Sequence, residues 1–267
     1  MSAVFANTRI ASIAVAMLVL SGCSDWLGGT VNKPLEGERI EVLRGGDGIM
    51  TDERIKDLKV ILPRPDANDE WPQAGGYPNH AMHHIAASGS LTRQWSADIG
   101  DGSSDEAQLL AQPVIAGGIV YTVDINAEVS AFDQKNGKRL WQVELSKDDD
   151  NEGILGGGIA IHDGRLFATT GFADVVALDA KSGREIWRKR LSGPIRAAPT
   201  VWAGRVFAAT VANELYALSA DDGRELWTHS GLREVAGLVG GAAPAVDAGV
   251  VVVPYSSGEV VALRVEN

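Results

Sequence analysis

The 267-residue sequence predicts an all-β protein assembled from repeated four-stranded units. Three observations predict it. The first is a pattern, Ala-x-Asp-x-x-x-Gly-x-x-x-Trp. It occurs at Ala131, Asp133, Gly137 and Trp141, again at Ala177, Asp179, Gly183 and Trp187, and again, with Ser219 in place of Asp, at Ala217, Gly223 and Trp227. Its tryptophans lie 46 and then 40 residues apart, a period that fits the four-stranded blades of a β-propeller. The second is the run of short β-branched and aromatic stretches between Gly and Asp turns. The third is that nothing after residue 70 sustains a 3.6-residue apolar period.

Each unit justifies its strands in the same order. A short apolar run opens it, at Pro113–Ile115, Gly158–Ile161, Pro199–Val201 and Pro244–Val246. A Gly-bearing turn follows, at Gly117-Gly118, Asp163-Gly164, Ala203-Gly204 and Ala248-Gly249. The second strand is β-rich, at Ile119–Val123, Leu166–Thr170, Val206–Thr210 and Val250–Val253. The third leads into Ala-x-Asp, and the fourth carries the Trp. An Asp at the start of the connecting turn accepts backbone N–H groups, and the Gly at its exit takes a positive φ. A Trp in every unit is structural: large, flat, with one N–H to satisfy, it wedges one blade against the next, and the alanines leave it room. These units define blades near residues 98–145, 153–191, 197–230 and 241–267, within a partial propeller spanning 71–267.

The N-terminal part reads differently. Arg9 precedes an apolar run from Ile10 to Leu20, too short to span a bilayer but suited to a secretory signal. Leu20-Ser21-Gly22-Cys23 resembles a bacterial lipobox. That resemblance implies residues 1–22 as a lipoprotein signal peptide and lipidation of Cys23 by a diacylglyceryl thioether and an N-acyl group. Several acyl chains anchor stably where one is marginal. Ser24 resembles the second mature residue of lipoproteins sent to the outer membrane. Residues 23–70, punctuated by Gly and Pro, read as a lipidated tether.

Bulk composition narrows the classes. Hydrophobic residues make up 45% and charged residues 22%, which is enough apolar material for a sizeable core. A net charge of −11 argues against a general nucleic-acid or anionic-membrane binder, since basic patches recruit to both. The single cysteine excludes an intrachain disulfide.

The repeat resembles the Trp-docking motif of quinoprotein-like (PQQ-type) β-propellers. With the lipobox it is similar to the propeller lipoprotein of the β-barrel assembly machinery, the BamB family. Trp71-Pro72-Gln73-Ala74-Gly75-Gly76 with Asn79-His80 looks like the opening segment of that family, and Leu191 to Pro199 like its connection between blades. The resemblance implies a non-enzymatic, lipid-anchored scaffold on the periplasmic face of the outer membrane. It implies binding to the periplasmic domains of the barrel-forming subunit, and to unfolded outer-membrane clients. A loop in a middle blade of the family engages that subunit through apolar residues and an Arg. Leu191, Ile195 and Arg196 match that position, with Arg233 and Glu234 one blade on. Family members usually have eight blades, whereas three Trp-bearing units and a fourth without its Trp strand are seen here. Three readings stay open: a truncated half of an eight-bladed ring, which is favoured, a four-bladed ring closed by Leu91–Ala97 with Trp95, or two copies pairing into eight blades.

The same resemblance raises a quinone-dependent dehydrogenase as an alternative, and an adaptor of another envelope complex as a second. The dehydrogenases carry vicinal cysteines and a calcium held by carboxylate and amide groups. Here the one Cys is Cys23, and no convergent acidic set is legible, so no cofactor is expected. His80, His83 and His84 lack a second ligand pair at zinc spacing and read as packing histidines. Asp148–Glu152 lacks the spacing and Gly of a calcium loop and reads as a solvated acidic loop. Gly156-Gly157-Gly158 opens a strand, not a helix, and is no phosphate cradle. Ser103 and Ser104 have no nucleophile elbow.

Overall fold

The structure is a computed structural model that describes residues 52–87, 89–105, 108–146, 156–233 and 241–266. The chain divides into two compact units, Met1–Val60 and Ile61–Asn267. Cys23, the acidic stretch 148–152 and Glu234 lie outside the described residues. In the first unit, residues 52–60 make a turn in which the Arg54 guanidinium and backbone N–H both donate to Asp52.

In the second unit, the alternating runs pair as antiparallel sheets wherever a two-residue turn reverses the chain. Blade 1 holds β1 (Val114–Ala116), β2 (Ile119–Val123), β3 (Glu128–Asp133) and β4 (Arg139–Glu144). Blade 2 holds β5 (Gly157–His162), β6 (Arg165–Thr170), β7 (Asp174–Asp179) and β8 (Glu185–Arg190). Blade 3 holds β9 (Thr200–Trp202), β10 (Arg205–Ala209), β11 (Glu214–Ser219) and β12 (Glu225–Ser230). Blade 4 holds β13 (Ala245–Asp247), β14 (Val250–Pro254) and β15 (Val260–Arg264). Each blade is a meander in chain order, and the fourth has three strands among the described residues. The first hairpin of every blade needs positive φ at both turn residues, and Asp163-Gly164 (48° and 72°) and Ala203-Gly204 (46° and 73°) show it. The opening strands stack in sequence, β1 on β5, β5 on β9 and β9 on β13. This is the all-β propeller architecture, with about four blades.

The core lies between blades, as period-2 alternation requires. Tyr121, Val129 and Ala131 of blade 1 face Ile161, Leu166 and Leu178 of blade 2. Phe167, Val175 and Ala177 then face Val201, Val206 and Leu218. Phe207, Leu215 and Ala217 face Val246, Val251 and Leu263. Burying each side chain of this size contributes about 1.5–3 kcal/mol. One equivalent set is not covered: Val260 is 71% exposed, where its counterparts Val129, Val175 and Leu215 are buried.

The motif is the joint. Trp141 and Trp187 donate their indole N–H groups to the carbonyls of Ala180 and Ala220, both at 3.0 Å, on the next blade. Trp227 does the same to Val265 at 3.0 Å. Each indole also lies on the turn glycine of the next blade: a Cβ on Gly183 would come 2.7 Å from Trp141, and one on Gly223 2.6 Å from Trp187. Behind each indole sits the blade's own aromatic, Tyr121, Phe167 or Phe207, tilted at about 50° with centroids 5.9–6.0 Å away. Asp133 and Asp179 accept turn N–H groups from Lys135 and Ser182, each at 2.9 Å. The third turn inverts the pair. Ser219 bonds the carboxylate of Asp222, which is held below the usual carboxylate range by that bond, so the acid has moved to the far end of the turn.

A non-repeating segment ties the blades together. Trp71 exchanges backbone hydrogen bonds with Ile115 of β1, at 2.7 and 2.8 Å. Ile161 of β5 donates to Pro72 O, and Val246 of β13 to Pro78 O, each at 2.7 Å. Between them the Gln73 amide takes the N–H of Val201 on β9 (2.9 Å) and donates to its carbonyl (2.8 Å). Ile115, Ile161, Val201 and Val246 hold the same register position in their blades. One stretch from Trp71 to Pro78 therefore bonds one residue on each of the four opening strands. A tight Gln73–Gly76 turn makes this reach, and Gly76 takes a φ of 99°, a conformation that L side chains rarely adopt.

Candidate partner-binding rim

At one end of the blades, the tips of the second hairpins meet the links that lead to the next blade. Each tip reverses on a residue of positive φ: Ala127 (62°), Ala173 (70°), Asn213 (60°) and Gly258 (87°). The outgoing chain is then caught by the carbonyl of that residue: Leu145 on Ala127, Leu191 on Ala173 and Gly231 on Asn213. The rim is thus laid down by the same local rule in successive blades.

Beyond that rule, the links differ, and side chains lock them. The link after blade 2 runs between two tips, Ile195 N–H donating to Thr170 O at 3.3 Å and Pro194 O accepting from Val211 N–H at 2.9 Å. Asn213, almost fully buried, is the hub between blades 3 and 4. Its Nδ2 donates to Leu232 O (2.6 Å), and its Oδ1 accepts from the Ser256 N–H (3.0 Å) and hydroxyl (2.9 Å). Glu259 accepts the Leu232 N–H at 2.8 Å, and that bond, aided by Ser257, holds its carboxyl below the usual range. Glu214 takes the Ser192 and Tyr216 hydroxyls and faces Arg233 at 3.7 Å. Burial, with Glu259 nearby, pushes the Tyr255 hydroxyl up to about 12, so it stays a neutral donor beside His229.

The expected partner residues divide on this rim. Leu191 and Ile195 point inward: Ile195 is fully buried and both belong to the core between blades 2 and 3. Their apolar side chains close the joint beneath the loop. Arg196 is partly buried, its backbone pressed on Gly156, where a Cβ would come within 2.6 Å. Arg233 stands out, its side chain 81% exposed. Beside it Leu232 is 63% exposed, and Val211 also faces solvent. Leu232 was not legible as a surface residue, because a lone Leu in a link has the same signature as the buried Leu191. The alanines, tryptophans and glycines of the repeat all lie at the joints, away from this rim.

Among the described residues no group of three His, Cys, Asp or Glu side chains is placed to hold a metal ion. His80 packs on Gly75, and His84 bonds Pro63 O through Nδ1 at 2.7 Å. Gly156, Gly157 and Gly158 serve close packing, against Arg196, Thr169 and Ala198.

Comparison with known proteins completes the picture. Over 53 residues the chain is 42% identical to the outer membrane protein assembly factor BamB of Alkalilimnicola ehrlichii, a stretch covering 20% of this chain and 14% of that protein. The BamB structure from Moraxella catarrhalis superposes with a TM-score of 0.52 at 21% identity, covering 58% of this chain and 46% of that one. The quinohemoprotein alcohol dehydrogenase ADHIIG of Pseudomonas putida HK5 superposes with a TM-score of 0.56 at 17% identity, covering 74% and 38%. The matches therefore span less than half the length of each of these relatives, and the two structures share the fold. The profile of the family described as outer membrane protein assembly factor BamB matches residues 86–155 and 125–267, well over half of the sequence, and the chain belongs to that family.

Proposed function

We propose that this protein is a non-enzymatic scaffold of the outer-membrane β-barrel assembly machinery, held at the periplasmic face of the outer membrane by lipid on Cys23. It binds the periplasmic domains of the barrel-forming subunit and supports insertion of outer-membrane clients. The observation that carries this reading is the rim. An exposed Leu232–Arg233 pair, with Val211 exposed on the hairpin tip whose Asn213 bonds Leu232 O, is mounted on loops that are otherwise locked by buried hydrogen bonds. Apolar anchors flanked by an Arg are the side chains on which protein interfaces concentrate binding. Leu191, Ile195 and Arg196 belong to the same surface as its support, setting the loop that Val211 leans on. Glu234, next in sequence and outside the described residues, is proposed as a further contact.

The test is co-purification with the barrel-forming subunit. Leu232→Ser with Arg233→Gln abolishes it while the melting temperature holds, because both side chains are largely in solvent and no charge is added beside Glu214 or Glu259. Ile195→Asp lowers the melting temperature instead, since it puts an unpaired carboxylate into a closed joint. Unchanged co-purification by the first pair overturns the assignment. Cys23→Ala moves the protein from the membrane fraction to the soluble one; retention in membranes overturns the anchor.

A further inference from the structure

Three positions of the rim change together at the joint between blades 3 and 4. The first is the link residue whose N–H is caught by the tip of its own blade. It is Leu145 or Leu191 at the earlier joints, both buried, and Gly231 here. The second opens the hairpin tip of the blade that follows, and its carbonyl accepts the N–H of the positive-φ residue. It is Thr170 after the Leu145 link and Thr210 after the Leu191 link, but Tyr255 after Gly231. The third is the residue next to the caught one. It is Ser146 and Ser192 at the earlier joints and Leu232 here.

The changes compensate in volume. A Cβ on Gly231 would come 2.6 Å from Cδ2 of Tyr255 and 2.8 Å from Cε2, so the ring takes the space of a side chain at 231. Tyr255 is buried in the core between blades 3 and 4, as Leu145 and Leu191 are in the cores of their own joints. The hydroxyls of Thr170 and Thr210 cap their own tips, accepting the N–H groups of Asp174 at 3.2 Å and Glu214 at 3.4 Å. The Tyr255 hydroxyl instead crosses the joint to His229 Nδ1 at 3.0 Å, and the two rings stack 6° from parallel. An aromatic on blade 4 therefore plugs the joint that a link leucine plugs elsewhere. The leucine of the third link stands one position later, 63% exposed. Its backbone is fixed on both sides, because Glu259 takes its N–H at 2.8 Å and Asn213 donates to its carbonyl at 2.6 Å.

We infer that Tyr255 is the positioning residue of the rim: by closing the joint in place of a link leucine, it holds Leu232 and Arg233 outward as the contact with the barrel-forming subunit. The inference rests on the reading of the rim given above, and adds that its apolar contact is set by a residue of the neighbouring blade. Gly231 is the other half of the device. A side chain there collides with the ring and lifts the link from its support.

The affinity of the full chain, in detergent, for the purified periplasmic domains of the barrel-forming subunit tests the inference, with the melting temperature measured alongside. Tyr255→Thr weakens binding about tenfold while the protein stays folded, the scale of losing one interface anchor. Tyr255→Phe, which keeps the ring, recovers that loss. Gly231→Leu alone weakens binding too, because it meets the ring. Gly231→Leu with Tyr255→Thr recreates the Leu and Thr of the earlier joints and binds better than either single variant, the non-additivity of residues that share one space. A purely structural plug would lower the melting temperature in Tyr255→Thr and leave the affinity of the folded protein as it was. Unaltered affinity in folded Tyr255→Thr therefore overturns the inference, and so does a double variant that binds no better than the singles. Leu232→Ser with Arg233→Gln separates the two readings. Unchanged binding there overturns the rim and this inference with it, whereas binding lost there and kept in Tyr255→Thr overturns the inference alone.

Discussion

Gly183 answers to two constraints at once, and a neighbouring glycine separates them. Gly183 and Gly164 have the same φ of 72°, so any side chain pays the same left-handed strain at both. Gly164 faces open space, while a Cβ on Gly183 would sit 2.7 Å from Trp141. Gly164→Ala is therefore expected to cost about 1–2 kcal/mol, the conformational penalty alone. Gly183→Ala adds the displacement of a docked indole, for a total of roughly 3 kcal/mol or more. Urea unfolding of the two variants measures the difference, and equal losses would remove the docking contribution. The Asp of the motif is less constrained, because its role is a hydrogen bond that Ser219 and Asp222 make with the ends reversed. Hence Ser was tolerated in the third repeat and Ala is not seen there.

Among the elements, the Trp71–Pro78 segment has no counterpart in the repeats and holds all four blades. Gln73 is its most exacting residue, since its amide alone satisfies both the N–H and the C=O of Val201, 128 positions away. Gln73→Leu keeps the volume and leaves both groups buried and unpaired, a loss on the order of 3 kcal/mol. Hydrogen exchange should show it first at Val201. The segment is also acid-sensitive. His80, half-buried against Gly75 with its Nε2 unpartnered, is held below the ordinary histidine range by burial. A depressed folded value means the unfolded chain takes the proton first, so stability is full above that range and falls as pH drops through it. The melting temperature should decline as pH falls through the ordinary histidine range and below it, and less so in His80→Gln. Asp179 and Glu259, held down by their hydrogen bonds, add losses only in the lower carboxylate range. The blades were legible in the sequence because turn, Gly and Trp recur within reach of one another. The bridging role of Trp71–Pro78 was not, because a single passage that pairs with distant backbone leaves no period. The burial of Leu191 and Ile195 was not legible for a related reason: beside Ser192-Gly193-Pro194 they look like loop residues, and only the packing of blade 2 on blade 3 shows them inside.

At the scale of the molecule, the blades form a linear array in which each joint is a nearest-neighbour interface, so stability is close to a sum of blade and joint contributions. Position in the array then decides what a lost joint does. Trp187 lies between two four-stranded blades, with further polar ties across the same joint, such as Arg165 donating to Ala220 O and Asp221. Trp227 holds blade 4, whose far face is open at Val260. Truncating either indole removes a large buried ring and costs about 3–5 kcal/mol locally. Trp187→Ala should lower amide protection on both sides of its joint, at Phe167 and Val175 as at Val206 and Leu218. Trp227→Ala should release blade 4 alone, with protection lost at Val251 and Val253 while Phe167 and Val206 keep theirs. Equal, global loss in both variants would mean that the Trp71–Pro78 segment, rather than the joints, sets the cooperative unit.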